Sequence, residues 1–260
     1  MGIKREIKRL FEKLSGTHIY RTVPRGIDIF EDLKNYLPNL QIRIVFDVGA
    51  NIGQSCSTYL NRFPGSTIYC FEPVDATFRQ LQSNVGSQDN VHSFKLALGA
   101  THGTGKMVLE GNTDGFFLMN IRGPERETSP LEEVNLETLD GFCAHQNIAH
   151  INYLKIDTEG GDFEVLRGAE NMLNLQYVDV VQVEAGMNRS NARHVPFTNF
   201  LKFFEEKNYF LFAIYEQVNE FLTQEPHLRR TNPVFISNRV IKANPAPWRY
   251  SPRSAAPRLC

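Results

Sequence analysis

Five carboxylates stand where this chain could do chemistry, each at or just past the end of a β-favouring run. They are Asp47 in "RIVFDVGANIGQS", Glu72 in "STIYCFEP", Asp157 and Glu159 in "INYLKIDTEGGDF", and Glu184 in "YVDVVQVEAG". In an open α/β sheet, ligands sit outside the carboxyl ends of the strands, usually at the first strand-to-helix turn. That turn is Gly49-Ala50-Asn51-Ile52-Gly53. Gly49 lets the backbone turn, Gly53 lets the helix start lie close to a ligand, and free N–H groups between Asn51 and Ser55 suit a carboxylate. Asp47 attracts an ammonium and repels a phosphate. Glu72, twenty-three residues after Gly49, can accept from both hydroxyls of a ribose. A ligand with an amino-acid group and a ribose but no phosphate fits this set, and S-adenosylmethionine is such a ligand. A nicotinamide dinucleotide is the alternative, and G-x-G-x-x-G would need glycine where this chain has Asn51.

Methyl transfer from a sulfonium to a hydroxyl is an in-line displacement, so the protein must align the oxygen and accept its proton. Asp157 is the candidate to contact donor or acceptor, and Glu159 the candidate base or substrate ligand; Glu159 could equally be a first-turn acid favoured by the helix dipole. Glu184 would bind a substrate hydroxyl or close a hydrogen-bond network under the site. His194, in "MNRSNARHVP" beside Arg189 and Arg193, has the proton affinity of a base near neutral pH or is solvated surface. His145 and His150 read as structural. Asp157, Glu159 and Glu184 could together hold Mg²⁺, but no dedicated aspartate pair accompanies them and no metal is expected.

The elements that must position these residues alternate. Strand 42–48, helix 53–63 ended by Pro64-Gly65, strand "STIYCFE", helix 75–85 and strand "VHSFKLAL" come first. A hairpin-like strand in "GATHGTGKMVLEG" follows, and then an irregular stretch, 111–130, read as a substrate cover. Strand "INYLKIDTEG", helix 162–174, strand "YVDVVQVEAG", helix 196–207 and strands near 209–215 and 233–237 complete the series. Such alternation implies a parallel sheet wrapped by helices on both faces, with the late strands adding an antiparallel edge. The expected organisation is an N-terminal helical extension (1–41), one catalytic domain (42–240) and a disordered tail (241–260). Within the extension, Asp28 is placed to cap a short helix, and Ile3, Ile7, Leu10, Phe11 and Leu14 line one face of another whose opposite face is basic. Docking of that apolar stripe on the domain is the first expectation, and peripheral contact with an anionic membrane the second.

Composition bounds the class. Across 260 residues, 28 Lys plus Arg against 29 Asp plus Glu give a net charge of -1, so no field for nucleic acid is visible. Four cysteines without CxxC spacing fit a reducing compartment, and no apolar run is long enough for a membrane span, so the expected location is the cytoplasm.

The segments "FDVGANIGQSCSTY", "YCFEPVDATFRQL", "LALG", "LETLDGF", "INYLKIDTEGGDFEVLRGA" and "VVQVEAG" resemble, in this order, the FkbM family of S-adenosylmethionine-dependent O-methyltransferases, over about residues 43–215. The resemblance implies an α/β, Rossmann-like class I methyltransferase fold with a mostly parallel seven-stranded sheet. It also implies methylation of a hydroxyl on a saccharide or a secondary metabolite. A non-catalytic module retaining the fold is a further alternative.

Overall fold

The computed structural model describes residues 3–17, 23–109, 116–118 and 130–245. In chain order its elements are α1 (Ile3–Ser15), α2 (Ile29–Tyr36), β1 (Ile44–Val48), α3 (Gln54–Arg62), β2 (Thr67–Phe71), α4 (Asp75–Val85) and β3 (Val91–Phe94). The middle holds β4 (Ala97–Leu98), β5 (Gly103–Val108), β6 (Phe117–Leu118), β7 (Leu131–Glu137), α5 (Leu139–Gln146) and β8 (Ile151–Ile156). Last come α6 (Asp162–Arg167), α7 (Glu170–Asn174), β9 (Val178–Val183), β10 (Ala185–Gly186), α8 (Phe197–Glu206), β11 (Tyr209–Asn219), β12 (Leu228–Ser237) and α9 (Asn238–Ala243).

β10 continues β9 past Glu184 in the same register on β12, with Gln182 opposite Val234 and Ala185 opposite Thr231. The main sheet therefore runs β3-β2-β1-β8-β9-β12-β11, and its first five strands are parallel. This is the expected class I methyltransferase fold. The late strands form the expected antiparallel edge beyond β9, with β12 pairing β9 and β11 pairing β12.

Successive side chains of a strand point to opposite faces, and the core follows that rule. Phe46, Val48, Leu154 and Ile156 pack with Phe142 of α5, Leu166 of α6 and Phe200 and Phe204 of α8 on one face. Val45, Ile68, Cys70 and Tyr153 pack with Leu33 of α2, Tyr59 of α3 and Leu81 and Val85 of α4 on the other. Asp28 caps α2 as expected, accepting from the backbone N–H groups of Phe30 and Glu31 at 2.9 and 3.1 Å.

Several expectations are corrected. The single helix over 162–174 is two, because Gly168 packs where a Cβ would stand 2.0 Å from the Gly99 carbonyl oxygen. Asp140 then caps the new helix start, accepting from Asn171 N–H at 2.8 Å and Met172 N–H at 3.0 Å. "VHSFKLAL" is likewise divided: β3 joins the main sheet, while β4 joins a second sheet, β4-β7-β5-β6. β7 is not evident in "LEEVNLE" because the adjacent Glu132 and Glu133 break the apolar-polar alternation of a strand. Most of 111–130 and the tail from 246 lie outside the described residues, while 241–243 close α9. The stripe on α1 is not docked: Ile7, Leu10, Phe11 and Leu14 are exposed.

Candidate active site

A cavity of ≈ 250 Å³ opens at the carboxyl ends of β1, β2 and β8, where the sequence placed the ligand. Its floor is the β1–α3 turn. Gly49 and Ala50 N–H groups both donate to the Phe71 carbonyl at 3.0 Å, and Asp157 N–H donates to the Val48 carbonyl at 3.0 Å, so the three strand ends are tied together. Gly49 is required for this closeness. Its φ is +80°, and a Cβ there would lie 1.9 Å from the Asp157 carbonyl oxygen. Asn51 also adopts a left-handed conformation, φ +48°, which asparagine tolerates better than most residues.

Glu72 lines the cavity and is nearly buried. Its two carboxylate oxygens accept from Asn51 N–H at 3.2 Å and Val74 N–H at 3.0 Å. Burial raises its pKa to about 7 against the pull of those two N–H groups. Beyond it, Leu98 of β4, Met107 of β5, Leu118 of β6 and Phe116 just before β6 form an apolar wall on the side of the second sheet. Asn51, Gln54 and Ser55 line the opposite rim, and Gly53, as N-cap of α3, provides no side chain to satisfy the first-turn N–H groups. Such a helix start accepts an anion.

Two expected cofactor residues are not on the cavity wall. Asp47 shares the pleat face of Val45, so it points under α3 and is completely buried. Among the described residues its one polar side-chain partner is the Lys155 ammonium, directly across the ladder and 3.5 Å from Oδ1. Burial raises the Asp47 pKa, opposed by Lys155. Gly53 packs closely against α4, since a Cβ there would meet Val85 at 2.9 Å and Leu81 at 3.0 Å.

Lys155, which the sequence reading passed over, is the cation of the site. It lines the cavity and contacts Asp157 Oδ2 at 3.2 Å as well as Asp47. Burial works against its charge, but Asp157 and Asp47 outweigh that and hold the lysine well above its usual range. Its signal was a lysine amid "INYLKI", a run otherwise apolar enough to be a buried strand.

Of the four expected catalytic residues, Asp157 and Glu159 line the cavity and Glu184 and His194 do not. Glu159 is a non-glycine residue at φ +57°, followed by Gly160 at φ +101°. Backbone outliers of this kind cluster at functional sites. Burial raises the Glu159 pKa, and the Arg193 guanidinium, hydrogen-bonded to its Oε2, pulls it back. Behind it, Glu184 Oε1 accepts from Arg230, and Glu184 Oε2 lies 2.6 Å from His194 Nε2. His194 Nδ1 is 3.0 Å from the Asn191 side-chain oxygen, which is oriented because the Asn191 amide donates to the Arg229 carbonyl at 2.8 Å. Both imidazole nitrogens thus face oxygen acceptors, and His194 is a buried member of an ion cluster rather than solvated surface. Glu159, Glu184 and His194 bring ligand atoms within 4.8 Å of one another, yet Arg193 and Arg230 already engage the two carboxylates. Asp162, also unanticipated, braces the turn. It accepts from the Thr158 hydroxyl at 3.0 Å and from Glu184 N–H at 3.3 Å, and burial, with Asp157 and Glu184 nearby, raises it to about 7.

The Methyltransferase FkbM domain matches residues 47–211 of this chain. Methyltransferase 1 of Beauveria bassiana is 28% identical over 159 residues, 54% of this chain and 63% of that one. The 2-O-methyltransferase NoeI of Sinorhizobium fredii is 24% identical over 143 residues, 50% of this chain and 58% of that one. The hexuronic acid methyltransferase AglP of Haloferax volcanii is 27% identical over 162 residues, 56% of this chain and 57% of that one. The chain therefore spans about three fifths of each relative. Among solved structures, the METTL16 MTase domain aligns at a TM-score of 0.47 and 11% identity, covering 88% of this chain and 77% of that one.

Proposed function

Because the chain belongs to the FkbM methyltransferase family, whose methyl donor is S-adenosylmethionine, we propose that it transfers a methyl group to a hydroxyl of a saccharide or a secondary metabolite. The observation that carries this reading is that Glu72, suited to a ribose, and Asp157 and Glu159, suited to an acceptor hydroxyl, line one cavity. The similarity to a 2-O-methyltransferase and a hexuronic acid methyltransferase supports a sugar hydroxyl as the acceptor. Three buried free cysteines, Cys56, Cys70 and Cys143, support a reducing location such as the cytoplasm. Among the described residues no helix is long and apolar enough to cross a membrane.

The wall chemistry fits the donor. Glu72 takes the ribose hydroxyls, the apolar wall of Leu98, Met107, Phe116 and Leu118 takes the base, and the uncapped start of α3 takes the carboxylate. Asp157 is the acid left at the cavity wall for the ammonium or for the acceptor, with Asp47 acting beneath it through Lys155. When bound, S-adenosylmethionine supplies the electrophilic methyl group. The chain's own task is to place the acceptor oxygen and remove its proton. Glu159 receives that proton. Burial raises its proton affinity, and the Arg193 guanidinium hydrogen-bonded to it opposes that rise. Asp157, fixed by Lys155, orients the hydroxyl.

Glu159→Gln is expected to lower kcat by about 10²–10⁴ while leaving the affinity for S-adenosylhomocysteine nearly unchanged. Steady-state kinetics and calorimetry separate the two, and an unchanged kcat would remove Glu159 from this role. Cofactor binding should depend on pH through Glu72. Ribose hydroxyls donate to the ionised form, so affinity is fully present above about pH 7 and falls about tenfold per unit below it. The sign for the ligand-free fold is opposite: a pKa raised above that of the unfolded chain stabilises at low pH, and this contribution is lost as pH rises through about 7. Titration calorimetry with S-adenosylhomocysteine between pH 5.5 and 8.5 reads the first effect, and a flat profile contradicts it. The overall reading is tested by supplying methyl-labelled donor with pools of glycans, lipid-linked saccharides and secondary metabolites. Label on a hydroxyl oxygen is expected; donor binding with no transfer to any hydroxyl-bearing pool would overturn it.

A further inference from the structure

α1 is the element that the catalytic body does not use. Its apolar residues Ile7, Leu10, Phe11 and Leu14 are 62%, 60%, 54% and 79% exposed. By their spacing they fall within an arc of about 100° on one side of the helix, the width of a stripe that ordinarily faces a core. The helix ends cleanly, with the Ser15 hydroxyl donating to the Phe11 carbonyl at 2.7 Å and Gly16 at φ +66°. Its sequence carries Lys4, Arg5, Lys8, Arg9 and Lys13 against Glu6 and Glu12, a local positive excess in a chain whose net charge is -1.

An exposed apolar stripe on a short helix rich in lysine and arginine matches the build of helices that lie in the plane of an anionic bilayer, with the stripe in the acyl boundary and the cations among the headgroups. A second copy is the competing occupant. Ile3, Ile7, Leu10 and Leu14 do follow a 4-3-4 spacing, but the helix holds fewer than two complete heptads, too few for a coiled coil to form on its own seam. We propose that α1 is an interfacial anchor that attaches this protein to anionic phospholipid surfaces. The inference is independent of the identity of the methyl acceptor.

The test is cosedimentation of the full chain with vesicles of phosphatidylcholine and phosphatidylglycerol at 7:3, and of phosphatidylcholine alone. Binding to the anionic vesicles is expected, with at least about tenfold weaker partitioning to the neutral ones and a decline with added salt. Leu10→Asp with Phe11→Asp, and separately Lys8→Glu with Lys13→Glu, should each reduce anionic binding by about tenfold or more. Binding of S-adenosylhomocysteine by both variants confirms that the body is folded and keeps this result separate from the methyltransferase reading. No binding of the unaltered chain to anionic vesicles overturns the anchor, as does equal binding by the variants. A dimer in light scattering that the Leu10→Asp, Phe11→Asp variant abolishes, without vesicle binding, would assign the stripe to a second copy and overturn it too.

Discussion

Lys155→Met is expected to lower stability by about 3–5 kcal/mol, the usual cost of breaking a buried ion pair from one side. The reason is the state of Asp47. Its carboxylate is completely enclosed, has no donor among the described residues besides Lys155, and faces that ammonium across the β1–β8 ladder. Without that cation Asp47 must hold an uncompensated charge or take up a proton. For a domain of this size a loss of that magnitude lowers Tm by about 10 °C. The deficit should shrink as pH falls, because protonation relieves an acid whose folded pKa lies above its unfolded value. Adding Asp47→Asn to the variant should restore a large part of the loss, since a neutral amide no longer needs a cation. Thermal unfolding of wild type, the two single variants and the double variant checks this. Equal Tm values for Lys155→Met and wild type would show that Asp47 is satisfied by something other than Lys155.

Gly49→Ala should be nearly as damaging, and with a sharper functional consequence. The new Cβ would stand 1.9 Å from the Asp157 carbonyl oxygen, and the backbone at φ +80° resists any side chain. A left-handed conformation costs about 1–2 kcal/mol and forced overpacking about 1–3 kcal/mol more. Relief requires moving the β8 turn that carries Asp157 and Glu159, so S-adenosylhomocysteine binding should fall with stability. Two other glycines provide controls. Gly65 has φ +81° with nothing near a Cβ, so Gly65→Ala isolates the backbone cost. Gly53→Ala, at φ +93°, meets only the side-chain ends of Val85 and Leu81 and should fall between the two. Denaturant titration of the three variants gives the order, and Gly49→Ala matching Gly65→Ala would show that the two turns can separate freely.

The parallel core was legible because β1, β2, β8 and β9 are short apolar runs punctuated by Gly, Pro and acids, and that pattern survives in one dimension. Asp157, Glu159 and Glu72 were legible as strand-end acids for the same reason. What escaped was set by neighbours distant in sequence. Asp47 looked like a ligand residue because its place at a strand end is visible, while the lysine opposite it, 108 positions later, is not. The packing of Gly53 was hidden because its contacts, Val85 and Leu81, belong to the next helix. His194 read as a base or, more often for a lone loop histidine, as solvated surface, and its burial depends on Glu184 and on Asn191, held in turn by a β12 carbonyl. The second sheet was partly unread because adjacent glutamates break the alternation along β7, and α1 reads in sequence like any helix with a face to bury.

β12 is the last strand among the described residues, yet it lies between two others, with its Phe235 ring 4.2 Å from that of Phe204 in a stacked pair. During synthesis β9 must therefore wait, one edge open, until residues 228–237 have left the ribosome. An uncovered apolar edge of that kind recruits other chains. A fragment cut at the end of the matched segment, residue 211, would keep every residue of the cavity wall and still lack the strand that closes the sheet. Such a piece should accumulate as aggregate, so the smallest unit that can be produced and assayed extends through β12.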